Sequence, residues 1–337
     1  MTGIKIINGR FYINKVISNR GNSLSEGKLI GIYTDMCAFF DKNICDVGLN
    51  KTEFINNLNE WRGSGVNLIT LGLQSPNPFG EYYKKARERD KSKNISFDSS
   101  ALNPDGSLNF GFLSNAEEII NAADNSGIAV LVNILSPSCE SIFEDEFAIL
   151  NGIFNIAEWL LEKKFLNTLV NLTDISHTFY KSSVLNGDRI VNVLKSIREK
   201  VKDNIIFGAG IKTFAYLSAK NMANYINLSD FIPIFSINAR HACTTKKMLE
   251  NIYFLKRLMR GEGREVPIIM AKGDDLSERY GSYGKNNLTE ALENDISWCY
   301  YDRDGFGLLQ NQKKSIDWNK NSTPEKRRFF ELAGSGQ

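Results

Sequence analysis

Two periods of apolar and polar positions alternate along the chain. Short runs that are apolar almost throughout recur at 28–33, 67–73, 128–135, from 169 onward, and at 204–209, 231–237, 267–271 and 296–301. Runs of that length, bounded by polar residues and glycine, read as strands buried on both faces, as in a parallel sheet. Between them apolar residues return at three- and four-residue spacing: Phe54, Ile55, Leu58 and Trp61; Ala116, Ile119, Ile120 and Ala123; Ile153, Ile156, Ala157 and Leu160; Ile190, Val193, Leu194 and Ile197. That spacing lines one face of a helix. Further helices are predicted over 217–226, 245–259 and 288–292, with a terminal one over 324–332. Thr52 and Ser114 offer capping hydroxyls at the start of the first two helices, and Gly63, Gly65 and Gly127 stop them.

Ahead of the first strand, residues 4–17 alternate around Asn8-Gly9, a pair that supplies positive φ for a tight turn, and so predict a small hairpin. Residues 19–23 read as a loop. The polar stretch from Gln74 to Phe112, with Pro76, Pro78 and Pro104, is a long connection of the kind that often carries function.

Eight strands alternating with helices predict one α/β domain over the whole chain, a (β/α)₈ TIM barrel with an N-terminal β-hairpin. An open doubly wound sheet is the alternative. It would be marked by a glycine-rich dinucleotide fingerprint after the first strand, and the sequence has none there.

Composition narrows the class. The chain has 337 residues, 42% hydrophobic and 24% charged, with a formal net charge of +2. These are values of an ordinary globular protein. The densest basic run, Lys84 to Lys91, is broken by Glu88 and Asp90, so no nucleic-acid partner is expected. The five cysteines form no C-x-x-C pair, which argues against a disulfide framework or a thiolate zinc site. No basic leader opens the chain and no apolar run reaches about 18 residues, so a cytoplasmic protein with no membrane partner is expected.

Barrel chemistry gathers at the C-terminal ends of the strands. Those ends offer Tyr33, Thr34 and Asp35; Gln74; Ser136, Cys139 and Glu140; Asp174, Ser176 and His177; Asn238, Arg240, His241 and Cys243; Lys272, Asp274 and Asp275; and Tyr301 and Asp302. Both histidines of the chain are among them. Asp174, Asp274, His177 and Lys272 are the catalytic candidates. Tyr33, Asp35, Gln74, Asn238, His241, Trp298 and Tyr301 are the candidates for substrate binding, although Trp298, in mid-strand, reads equally as a core residue.

The chain resembles the glycoside hydrolase clan built on (β/α)₈ barrels, in particular the cellulase-like proteins of family five. The residues that carry the resemblance are Glu26-Gly27-Lys28-Leu29 through Phe40-Asp41-Lys42-Asn43, Trp61-Arg62-Gly63-Ser64-Gly65-Val66-Asn67 leading to Leu73-Gln74, the strand from Leu169, Pro267-Ile268-Ile269, and Ile296-Ser297-Trp298-Cys299-Tyr300-Tyr301-Asp302. The resemblance implies a carbohydrate or glycan ligand, no cofactor, and a pair of glutamates, the acid/base after the fourth strand and the nucleophile after the seventh. The matching positions here read Asp174-Ile175 and Lys272-Gly273, with Asp274 and Asp275 just beyond, so both glutamates are replaced. Three readings follow. Asp174 and Asp274 serve as a shorter carboxylate pair; or the barrel is a non-catalytic descendant that binds a glycan or assembles with a protein partner; or Asp174, His177, His241 and Asp274 hold a metal for hydrolysis.

Overall fold

The computed structural model describes residues 2–17, 21–34, 46–74, 100–136, 142–173, 182, 184–185, 189–201, 205–210, 219–235, 245–274, 287–301 and 317–335. Strands β1 (Thr2–Ile7) and β2 (Arg10–Ile17) form the expected hairpin, turning at Asn8 (φ 49°) and Gly9 (φ 71°). Two successive positive φ values define the turn whose twist matches that of paired strands. The loop expected at 19–23 is corrected: Gly21–Glu26 is a third strand, β3, laddered antiparallel to β2 from Ile17↔Gly21 to Tyr12↔Glu26. Gly21, Asn22 and Ser23 have poor intrinsic strand preference, and pairing with β2 overrides it.

Eight parallel strands follow: β4 (Ile30–Ile32), β5 (Leu68–Gly72), β6 (Ala129–Leu135), β7 (Thr168–Thr173), β8 (Ile206–Gly208), β9 (Ile232–Phe235), β10 (Ile268–Asp274) and β11 (Ile296–Tyr301). Their order is β8-β7-β6-β5-β4-β11-β10-β9, so the last strand lies beside the first, as a barrel requires. At the β8/β9 seam the Asp230 amide donates to the Phe207 carbonyl (2.9 Å) and the Asp230 carboxylate accepts from the Phe207 amide (3.0 Å). A Cβ at Gly208 would lie 2.3 Å from the Phe231 carbonyl oxygen, so only glycine lets the two strands approach this closely. Arg198 joins the seam by donating to Asp230 (2.6 Å) and stacking over the Phe207 ring.

Helices α1 (Val47–Gly63), α2 (Phe110–Asn125), α3 (Glu146–Lys163), α4 (Arg189–Val201), α5 (Ala219–Leu228), α6 (Thr245–Gly261), α7 (Asn287–Glu293) and α8 (Pro324–Ser335) surround the strands, giving the predicted (β/α)₈ barrel. Two helix starts differ from expectation. Asp46, not Thr52, caps α1 by accepting from the Leu49 amide (2.9 Å), and Asn109, not Ser114, caps α2 by accepting from the Phe112 amide (3.3 Å). A carboxylate or amide oxygen five or six residues earlier meets the free N–H groups first, leaving the hydroxyls inside the helix. No helix among the described residues is long and apolar enough to cross a membrane.

The strands alternate between two apolar layers. One phase (Leu29, Leu68, Ala129, Leu131, Leu169, Ile269, Ala271, Cys299) fills the barrel interior, where Ile4, Phe11 and Ile13 of the N-terminal sheet join it together with Phe231. The Ile4 amide donates to the Leu166 carbonyl (3.0 Å), just ahead of β7, which sets that sheet across the N-terminal ends of the strands. The other phase (Ile30, Ile32, Ile69, Val130, Val170, Met270) packs under the helices with Phe54, Leu58 and Trp61. Because the N-terminal sheet plugs the N-terminal end, a site belongs at the other, C-terminal end of the barrel.

Candidate functional site

Toward that end the interior phase turns from apolar to polar. On β6 Leu131 is followed by Asn133, on β7 Leu169 by Asn171 and Thr173, and on β5 Leu68 by Thr70. Asn133 and Asn171 are partners in the β6–β7 register, and the Asn171 amide donates to Asn133 Oδ1 (2.7 Å) and to the Thr173 carbonyl (2.7 Å). The Thr173 hydroxyl donates to the Gly210 carbonyl beyond β8 (3.2 Å), and Thr34 Oγ1 donates to the Thr70 carbonyl (3.1 Å). These side chains are buried, Asn171 to 0% exposure. The result is a hydrogen-bonded polar layer above the apolar interior.

Gln74, two residues beyond β5, continues this layer. Its Oε1 accepts from the Ser136 amide (2.9 Å), which fixes which way the carboxamide points, while Nε2 is buried with no acceptor among the described residues. An unsatisfied buried donor costs about 1–3 kcal/mol, so it calls for an explanation. Tyr33 belongs to the interior cluster at 5% exposure, and its amide donates to the Tyr300 carbonyl (2.8 Å).

Trp298 lies in the opposite phase. Its register partners are Ile30 and Met270, both in the layer beneath the helices, and it is 2% exposed there. Its indole is therefore held in the core rather than offered to the barrel axis, the other role open to it from sequence. Tyr300 shares this phase and stacks on Phe329 of α8 with ring centroids 4.6 Å apart.

Strand β10 is longer than the 267–271 run predicted, so Lys272 and Asp274 are strand residues rather than residues beyond a strand end. Its register with β11 passes from Met270↔Trp298 to Gly273↔Tyr300 and Asp274↔Tyr301; its register with β9 passes from Met270↔Ile234 to Lys272↔Phe235. Ala271 and Lys272 together oppose one residue on each neighbour, which is a β-bulge. Asp35, Asp174, His177, Asn238 and His241 lie outside the described residues.

Asn133, Asn171, Thr70 and Thr173 were missed as candidates because each sits inside an otherwise apolar run. A signal was present: Leu-Val-Asn occurs both at 131–133 and at 169–171, which places an amide in the interior phase of two adjacent strands.

No protein-family model matches the sequence, and no curated protein matches it. Among solved structures, the chain is similar to the endocellulase from Pyrococcus horikoshii in complex with cellotetraose, at 15% identity over 98% of each chain, with a TM-score of 0.54. It is similar to the endo-1,4-β-mannanase from Rhizomucor miehei, at 9% identity over 99% of this chain and 98% of that one, TM-score 0.57. It is also similar to the β-1,4-D-mannanase from Cryptopygus antarcticus, at 10% identity over 94% of this chain and 98% of that one, TM-score 0.55. The chain has the fold of these cellulase-like barrels. What is shared at such identity is the architecture.

Proposed function

We propose that the C-terminal mouth of this barrel binds a carbohydrate chain of the β-1,4-glucan or β-1,4-mannan class and hydrolyses it with Asp174 and Asp274 as the carboxylate pair. The observation that carries the reading is the buried polar layer of Asn133, Asn171 and Thr173 at the mouth, continued by Gln74 with its oriented, unsatisfied amide. Polar groups are costly to bury, and a site that recognises sugar hydroxyls is a common reason to keep them. The fold likeness to an endocellulase and two mannanases supports the choice of ligand class.

Calorimetric titration with cellotetraose and mannotetraose, run beside a reducing-sugar assay, tests this. At least one tetraose is expected to bind and be cleaved, with Asp174→Asn abolishing cleavage while leaving binding and thermal melting in place. Binding without cleavage identifies a non-catalytic glycan-binding barrel. Activity lost on chelation supports instead the metal set of Asp174, His177, His241 and Asp274. Failure of both sugars to bind overturns the proposal.

A further inference from the structure

Helix α6 turns Ile252, Leu255 and Met259 inward, each almost fully buried. Its opposite face carries Glu250, Tyr253, Phe254 and Arg257, all exposed, at the three- and four-residue spacing that makes one stripe along the outer wall of the barrel. Arg260 lies at the edge of that stripe, with its Nε on the Lys256 carbonyl (3.3 Å). Tyr253 is 54% exposed and Phe254 49%; among the described residues they are the only two large apolar side chains so exposed that are neighbours in sequence. Single apolar residues on a surface need no explanation, but an aromatic pair on one helical face does. Tyr253 is also held in place. Its hydroxyl donates to Asn294 Oδ1 (3.2 Å) just beyond α7, while Lys256 Nζ donates to the Asn294 carbonyl (2.5 Å). A side chain fixed in this way loses little freedom when a partner covers it.

The charges on the stripe say what that partner is. Glu250 and Arg257 lie two turns apart, about 10 Å along the axis, with the aromatic pair midway between them. Neither makes a salt bridge among the described residues. The positions three and four away from Arg257 hold Tyr253, Phe254, Arg260 and Gly261, so its own helix offers it no acid. The order acid, aromatic, aromatic, base is its own complement when reversed. Two such helices packed antiparallel, about a two-fold axis that passes between residues 253 and 254, set Glu250 of each copy against Arg257 of the other and Tyr253 of each against Phe254 of the other. Reciprocal contacts of this kind define an isologous interface. A partner of one charge sign would match one end of the stripe and repel the other.

We infer that the outer face of α6 is the contact between two copies of this chain, packed antiparallel, with Tyr253 and Phe254 as its apolar centre and Glu250 and Arg257 as the flanking ion pairs. Aromatic residues and arginine are the types enriched at such centres. The inference is independent of any activity at the mouth of the barrel. A contact of one helix with one helix lies at the low end of interface sizes, so the dimer exchanges with monomer as concentration changes.

Sedimentation velocity on the full-length chain, from about 1 µM to about 1 mM, tests this. The wild type is expected to pass from monomer to dimer within that range. Glu250→Arg and Arg257→Glu are each expected to raise the dimer dissociation constant about tenfold or more, because the two-fold axis sets like charges together twice. The double variant E250R/R257E is expected to return to within about threefold of wild type, since the order of charges is only reversed. An equimolar mixture of the two single variants is expected to dimerise as well, one copy then carrying two basic positions and the other two acidic ones. Thermal melting of each variant reports on folding, and the double variant decides even where a single change lowers the melting temperature. A wild type that stays monomeric throughout overturns the inference. So does a dimer that neither single change weakens, which would place the contact elsewhere, and so does a loss that the double variant and the mixture fail to restore.

Discussion

Asn133 and Asn171 face each other across the β6–β7 ladder, joined by a 2.7 Å hydrogen bond between their side-chain amides above an interior layer that is mostly Leu, Ala and Ile. Asn171 also holds the Thr173 carbonyl (2.7 Å) at the point where β7 ends, so the pair ties the barrel wall to the strand end next to Asp174.

Breaking the pair from one side is expected to cost more than removing it. Asn171→Leu strands Asn133 Oδ1 and the Thr173 carbonyl without their donor, and Asn133→Leu strands an Asn171 N–H. Each single change should cost about 2 kcal/mol, because an unsatisfied buried group keeps its desolvation penalty. In the double variant both penalties from the broken pair vanish. Urea denaturation should therefore give a double-variant loss smaller than the sum of the singles by about 1 kcal/mol or more, and simple additivity would show that the two amides act independently.

Gln74 separates stability from binding. Gln74→Met takes away the acceptor used by the Ser136 amide and also the unsatisfied Nε2. These two effects oppose each other, so the unfolding free energy should change by less than about 1 kcal/mol. Affinity for the preferred tetraose should nevertheless fall about tenfold, the loss of roughly one hydrogen bond to a ligand oxygen. An unchanged affinity would remove Gln74 from the site.

The sequence made the barrel legible because strands buried on both faces leave uninterrupted apolar runs; all eight runs correspond to strands β4 to β11. What it hid depends on partners distant in the chain. The third strand of the N-terminal sheet, built on Gly21-Asn22-Ser23, exists because β2 offers it a ladder. The Asn133–Asn171 contact needs the β6–β7 register before either residue looks unusual. Trp298 could be assigned only when the phase of β11 was known, and the β10 bulge is defined by two neighbours at once. Interior and helix-facing phases are properties of the sheet, whereas periodicity is a property of one strand.

Two buried groups set an alkaline limit on stability. Burial raises the Cys299 thiol well above its ordinary range, and it raises the Tyr225 phenol likewise; that hydroxyl donates to the Ala209 carbonyl, which also favours the protonated form. Below about pH 8.5 both groups are protonated in the folded and the unfolded chain and give no pH dependence. As pH rises through the unfolded values, near 8.5 for the thiol and about 10 for the phenol, the unfolded chain releases protons that the folded chain keeps. Stability then falls, at up to about 1.4 kcal/mol per pH unit for each group. Urea midpoints from pH 8 to pH 11 should decline, with Cys299→Ala flattening the curve from pH 9 and Tyr225→Phe flattening it above pH 10. A curve as steep in both variants as in wild type would show that neither group titrates on unfolding.

The stereochemistry of cleavage follows from the carboxylate pair. A retaining mechanism needs carboxyl groups about 5–5.5 Å apart, so that one can bond directly to the anomeric carbon; a separation of about 6.5–9.5 Å leaves room for the attacking water. An aspartate side chain is one methylene shorter than a glutamate, so replacing both members of a glutamate pair draws each carboxyl back toward its strand and widens the gap. Asp174 and Asp274 therefore predict inversion: cleavage of a β-linked tetraose should first release the α-anomer at the new reducing end. Proton NMR of the anomeric signals in the first minutes, before mutarotation, reads this directly. First appearance of the β-anomer would mean that a carboxylate reaches the anomeric carbon and that the pair acts with retention.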